Sequence, residues 1–173
     1  MVDGKLTQMP NRIGEIAVRG NHVISDYLDT HQEPFHEGWF MTGDLGYFDE
    51  DSYLFIKGRL KEMISRGGEK VASAEVENVL NQLDFVGQVA VIGLPDEIYG
   101  ESVTAVIIPN KGRTHNFEFE REQLHVFAAK KLAKFQQLTQ VYFVSEFLLN
   151  ATGKVIRSKL REQLMQQASG EAR

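Results

Sequence analysis

The stretch that decides the fold runs from Gly38 to Glu77 and reads GWFMTGDLGYFDEDSYLFIKGRLKEMISRGGEKVASAEVE. Its first half, Trp39 to Ile56, carries two runs rich in aromatic and β-branched residues on either side of Asp49, Glu50, Asp51 and Ser52. That is the pattern of a β-hairpin closed by an acidic turn. Past Lys57, Gly58 and Arg59 the spacing changes. Val76, Val79, Leu80 and Leu83 recur at helical intervals, with Ser73 as the expected N-cap and Glu75 in the first turn, where the helix dipole favours an acid. The change of pattern puts a boundary at Gly58 to Lys61.

Outward from this stretch, Ile13 to Val18 reads as one strand and residues 21–38, broken by Pro34, as a loop. Downstream, Val86 to Ile92 and Val103 to Ile108 are compact β-type runs separated by Leu94, Pro95, Asp96 and a polar stretch to Glu101. Leu124, Phe127, Ala128 and Leu132 mark a second helix, Val141 to Val144 a third strand, and Ile156, Leu160 and Leu164 a closing helix. The expected class is α+β. Residues 1–58 form a β-rich piece too small for a core of its own, 59–165 a domain with a short central sheet flanked by helices, and 166–173 a frayed tail.

The chain has 173 residues, 42% of them hydrophobic and 25% charged. A chain of this length buries roughly 70% of its unfolded surface, so neither disulfides nor a metal are required for stability. A net charge of −5 supplies no field for polyphosphate backbones, which argues against general nucleic-acid binding. The absence of cysteine excludes disulfide frameworks, zinc ribbons, thiol nucleophiles and iron–sulfur ligation. The longest apolar runs fall far short of the roughly 20 residues of a membrane span, and Met1 to Lys5 lacks the pattern of a signal peptide. The cytoplasm is the expected compartment.

The histidines at 22, 31, 36, 115 and 125 show no metal-ligand spacing and read as solvent-facing, so no metal site is expected. Gly153-Lys154 is no Walker loop, since Leu148 stands where its first glycine is needed and Val155 where Ser or Thr should follow. Ser65, Ser73 and Ser158 lack the nucleophile elbow of hydrolases. Three stretches remain. Thr42-Gly43-Asp44 suits a turn, or a carboxylate presented to a vicinal diol. Arg59 to Val71 carries four cations and the pair Gly67-Gly68, which suits a solvated charged face or a close backbone approach to a ligand. Thr152-Gly153-Lys154 precedes the closing helix, where free N–H groups and the dipole favour a phosphate; a plain helix cap with an exposed lysine is the alternative.

In this order and spacing, GEIAVRG at 14–20, the stretch at 38–77, LPDEIYGE at 94–101 and NATGKVIRSKL at 150–160 resemble the C-terminal signature of the AMP-forming acyl-CoA synthetases, of the fatty-acid and aryl-CoA ligase type. The resemblance runs from Gly14 to Leu164. It implies a two-step reaction with ATP, Mg and coenzyme A as the complete enzyme's cofactors. A carboxylic acid and ATP give an acyl adenylate and pyrophosphate, and the coenzyme A thiol then displaces AMP. It further implies that Asp44 holds the ribose hydroxyls with help from Arg59, and that Lys154 is the catalytic lysine of adenylation. Lys61 would be the hinge about which a small mobile domain rotates, and Gly67 and Gly68 would line the pantetheine path. On this resemblance residues 1–58 are the end of a large domain whose phosphate loop and acyl pocket lie upstream. The chain alone is then expected to be inactive, and the missing large domain, in cis or in trans, becomes its partner.

Some residues depart from the family pattern. Ser52 replaces a frequent turn glycine, a mild change because type I turns need no glycine. Gln136 and Leu138 stand where Lys and Pro are usual, and Leu149 near a usual Pro, losses expected to loosen the loop that presents Lys154. Two alternatives follow. One is a peptide-synthetase adenylation fragment, which usually has an aspartate where this chain has Lys61. The other is a free-standing, non-catalytic lid-like module, whose sign would be an exposed apolar patch at Trp39, Phe40, Tyr47, Phe48 and Phe55.

Overall fold

The computed structural model describes residues 1–2, 4–23 and 34–170. Residues 24–33 of the expected loop, His31 among them, and residues 171–173 of the expected tail lie outside the described residues. The chain divides into two compact units, Met1–Glu62 and Met63–Arg173.

The first unit is an antiparallel sheet of β1 (Gly14–Val18), β2 (Phe35–His36), β3 (Trp39–Phe48) and β4 (Leu54–Arg59). β3 is central, with β1 along one edge and β2 and β4 along the other. The acidic turn closes β3–β4 as the sequence predicts. Asp49 Oδ1 accepts from the N–H of Asp51 (3.0 Å) and of Tyr53 (2.8 Å), and the Ser52 N–H donates to Asp49 O (3.1 Å). Ser52 has φ 66°, the left-handed residue that follows a type I turn in a three-residue hairpin loop. A side chain there costs on the order of 1 kcal/mol, so Ser52 is less mild a replacement than the sequence alone suggests. A second correction concerns the loop over 21–38. Phe35–His36 pairs with Trp39–Phe40 across a turn at Glu37 (φ 51°) and Gly38 (φ 77°), a strand too short to show any period. No apolar side chain of this unit is fully buried among the described residues. Phe55 is exposed, as are Tyr53, Leu54 and Ile56 beside it, whereas Trp39, Phe40, Tyr47 and Phe48 are half-buried.

The second unit contains β5 (Met63–Arg66), β6 (Glu69–Ala72), α1 (Ser73–Leu80), β7 (Val86–Asp96), β8 (Gly100–Pro109), α2 (Phe117–Lys131), β9 (Gln140–Phe143) and α3 (Arg157–Gly170). Its sheet has the order β6-β5-β8-β7, with β9 parallel to β8 and α2 making the crossover that a parallel pair needs. Alternation along β7 and β8 sorts the core onto two faces. Val91, Val103, Ala105 and Ile107 pack with Val76 and Leu80 of α1 and Leu124 and Ala128 of α2. Ala90, Ile92, Leu94 and Val106 pack with Leu160 and Leu164 of α3. Helices on both faces of a mainly antiparallel sheet make the class α+β.

Three local expectations are corrected. The residue flanking α1 is Ala72, with extended backbone and no side-chain cap, and Ser73 is the buried first residue of the helix. β7 does not stop at Ile92 but runs through Pro95, paired with Glu101, to Asp96. β7 is an edge strand, where a residue without an N–H is tolerated. α3 continues through Gln166 and Gln167 to Gly170, where the expected tail would fray; its apolar period ends because those side chains are exposed, not because the helix does.

Candidate functional site

Asp44 and Arg59 were singled out from separate stretches, and the sheet makes them register partners on β3 and β4. Arg59 Nε donates to Asp44 Oδ1 at 2.9 Å, with the carboxylate 28% exposed. The register skips one residue on β4 between Gly58 and Ile56, a bulge at Lys57 that re-aims the strand just before Arg59. Thr42, two residues before it on β3, and Glu15 of β1 hold the approach to Asp44. The Thr42 hydroxyl donates to Ile16 O (2.8 Å) and accepts from the Asp44 N–H (3.1 Å), and Glu15 Oε1 accepts from the Gly43 N–H (3.0 Å). Gly43 has φ 73°, a conformation that suits glycine. Glu15, Thr42, Gly43, Arg59, Leu60 and Lys61 line a cavity of about 540 Å³ in this unit. Lys61 lies in the 3₁₀ turn Leu60–Glu62, at the unit's last residues.

In the second unit Gly67 and Gly68 form the two-residue turn between β5 and β6, with φ 58° and 89°. Both positive angles belong to the turn type that matches strand twist, so the pair is required by the backbone whatever it meets. A Cβ on Gly67 would come 3.2 Å from the Tyr99 ring, while one on Gly68 would meet nothing within 4 Å. The turn is braced from beneath: the Gly67 N–H donates to Tyr99 O (2.8 Å), and the Arg66 guanidinium lies 5.3 Å from the centre of the Tyr99 ring. Arg66 Nη1 also donates to Gln137 O at 2.8 Å and Phe135 O at 3.3 Å. Gln136 Nε2 donates to Glu75 Oε2 at 2.9 Å. The segment that lacks the usual Lys and Pro is thus held by side-chain bonds instead.

Lys154 is exposed on the loop joining the Leu149–Val155 bridge, three residues before α3. The loop closes on Asn150. Its Oδ1 accepts from the N–H of Thr152 (3.0 Å), the hydroxyl of Thr152 (2.8 Å) and the N–H of Lys154 (2.9 Å). Its backbone O accepts from the Gly153 N–H at 2.9 Å, and its N–H donates to Lys154 O at 2.8 Å. One expectation changes accordingly. The N–H groups of Thr152, Gly153 and Lys154 are engaged within the loop, which is braced, not loosened. What it offers a ligand is the Lys154 ammonium.

Two glutamates missed in the sequence fix α3 behind that loop. Glu77 Oε1 accepts from the Val91 N–H and from Arg157 Nη2, both at 2.8 Å. Glu101 accepts from the Ser65 N–H through Oε2 and from Arg161 Nη1 through Oε1, again both at 2.8 Å. Arg157 and Arg161 lie one helical turn apart, so α3 is held at two successive points. The Arg residues were visible in NATGKVIRSKL and the following residue; their partners lie 80 and 60 positions away, beyond any local pattern.

The expectation of solvent-facing histidines fails at His115, whose side chain is 14% exposed and paired with Glu120 at 2.8 Å. His22 and His36 are exposed and His125 is half-buried. Among the described residues no helix is long and apolar enough to cross a membrane.

Residues 75–154 match the family described as AMP-binding enzyme C-terminal domain. The chain is 38% identical over 165 residues to a probable CoA ligase of Humulus lupulus, covering 94% of this chain and 31% of that protein. It is 37% identical over 153 residues to a long-chain-fatty-acid–CoA ligase of Mycobacterium tuberculosis, covering 87% and 29%. Among solved structures, an anthranilate CoA ligase in complex with anthranoyl-AMP superposes with a TM-score of 0.82 at 30% identity, over 93% of this chain and 32% of that one. ATP-bound MatB from Rhodopseudomonas palustris superposes with a TM-score of 0.79 at 35% identity, over 90% and 31%. The chain spans about a third of the length of the curated relatives it matches.

Proposed function

We propose that this chain, which carries the AMP-binding enzyme C-terminal domain and resembles the C-terminal part of CoA ligases, supplies that part of an ATP-dependent, AMP-forming acyl-CoA ligase. A carboxylate attacks the α-phosphorus of ATP, pyrophosphate leaves, and the thiol of coenzyme A then attacks the acyl carbon and releases AMP. Mg enters with ATP. Residues 1–58 are the end of the large domain and 59–165 the mobile domain, with Lys61 as the hinge. A fatty acid is the carboxylate we favour, and the cytoplasm the compartment.

One observation carries this reading: an exposed lysine on a loop closed by Asn150 and anchored through α3. An ammonium carried on a held backbone offsets the negative charge that builds as a carboxylate meets the α-phosphate. Asp44 suits a diol, since an ionised carboxylate accepts from two hydroxyls, and Arg59 holds one of its oxygens in place. The Gly67–Gly68 turn leaves open space above Gly68 for the slender pantetheine arm.

The test is pyrophosphate release with ATP, Mg and a panel of carboxylic acids. The chain alone is compared with the chain mixed with the large domain of a related ligase. Alone it should be silent, because Lys154 has no bound ATP to act on. Activity in the mixture should fall by about 100-fold or more in Lys154→Ala. Turnover by the chain alone refutes the dependence on a large domain. Silence of the mixture favours the non-catalytic binding module, for which the exposed Tyr53 to Ile56 run is the supporting feature.

A further inference from the structure

The turn between β8 and α2 ends in a side chain that neither the proposed reaction nor the core packing uses. His115 Nδ1 lies 2.8 Å from Glu120 Oε1, and its Nε2 lies 2.8 Å from the backbone oxygen of Asn110. Both neighbours are acceptors. A neutral imidazole carries one N–H and serves one of them; an imidazolium serves both. The shared proton rests on the ring, because imidazole binds a proton more tightly than a carboxylate does. Glu120 gives a second, independent reason. Its side chain is 7% exposed, and its Oε2 is buried with no hydrogen-bond partner. A buried carboxylate left half-satisfied needs a counter-charge at close range.

We propose that His115 is a proton-operated latch. As imidazolium it ties the Asn110 carbonyl to the Glu120 carboxylate and holds the 110–116 turn against α2; on losing its proton it releases one of the two. The ring is stacked on Phe117, which in turn stacks on Phe143 of β9, with centroids 5.8 and 4.7 Å apart. The latch therefore borders an open cleft of about 470 Å³ lined by Asn110, Lys111, Arg113, His115, Phe117 and Phe143. Opening the turn widens that cleft.

The charged surroundings are few. From α2 it is Glu120 that faces the ring; Arg121, the next residue, is turned to Val141 O and the Phe143 ring. From the turn, Arg113 opposes the positive charge and Lys111 lines the same cleft. β9 contributes Phe143, while its Tyr142 packs with the cluster on the opposite face of the sheet. The hydrogen bond with Glu120, then that with Asn110, raises the His115 pKa above its usual 6.5, against a smaller opposing effect of burial. A pKa raised by folding means stability that is complete below about pH 6.5 and lost as pH rises through the raised value. The latch is shut below that raised value and open above it.

The experiment is the side-chain ¹⁵N spectrum of the whole chain from about pH 5.5 to about pH 9, with amide exchange of residues 111–116 corrected for intrinsic rates. Both ring nitrogens of His115 should be protonated at pH 6.5, and their transition should fall above it. Exchange at 111–116 should rise several-fold through that same transition and show no such step in His115→Gln. Glu120→Gln should move the transition down. A neutral His115 tautomer at pH 6.5, or exchange that ignores its titration, overturns the proposal. The spectrum of the unmutated chain decides this even if a variant fails to fold.

Discussion

Asn150 governs how Lys154 is presented, since one amide oxygen accepts three hydrogen bonds across a turn that would otherwise leave its donors to water. Asn150→Ala should cost about 1 kcal/mol and speed amide exchange at Thr152 and Lys154, while Asn150→Asp keeps the acceptor and stays near the parent. Unaltered exchange in the alanine variant would show that the loop is held elsewhere. At this scale the sequence discloses residue types and not their partners. Asp44 and Arg59 each stand out in the sequence as candidate residues, but their salt bridge follows from strand register across 15 positions. Ser52 reads as an ordinary turn residue until its positive φ is seen.

At the scale of elements, period carried most of what was legible. The β3–β4 hairpin, α1, α2, β9 and the start of α3 all stand where aromatic runs or helical spacing place them. Period failed for the two-residue β2, and at Pro95, where a breaker residue sits inside an edge strand. The two glutamate clamps were invisible for a further reason: each joins elements brought together only by the finished sheet. Gly93 shows how tightly one of them fits, because a Cβ there would lie 2.9 Å from the Glu101 carboxyl carbon. Gly93→Ala should displace that carboxylate from the Ser65 N–H and from Arg161 and destabilise the domain by about 1–3 kcal/mol. In the Glu101→Gln background the same change should cost much less, and equal costs in urea unfolding would separate Gly93 from the clamp.

The whole molecule holds two units of very different self-sufficiency. Met63–Arg173 carries both buried apolar clusters, one on each face of its sheet. Met1–Glu62 has no fully buried apolar side chain among its described residues, and it exposes four consecutive residues from Tyr53 to Ile56. A fragment starting at Met63 should therefore unfold cooperatively on its own, whereas residues 1–62 alone should give no cooperative transition. A sharp melt of the latter by circular dichroism would contradict this account. Composition and length mark the front piece as small for a core; which side chains lack cover depends on how its strands pair.

The long β7–β8 hairpin has a consequence in time. Its ten register pairs are closed by the short turn Glu97–Tyr99, in which Asp96 Oδ1 accepts from the N–H groups of Ile98 and Tyr99. Closing so short a loop loses little chain entropy, whereas β9 reaches β8 only after the α2 crossover. The hairpin is thus where a refolding chain first recovers what ordering costs, and the helices arrive onto it. Truncating Val91 or Ala105 should slow folding, and truncating Leu160 should chiefly hasten unfolding, a division that stopped-flow kinetics reads directly.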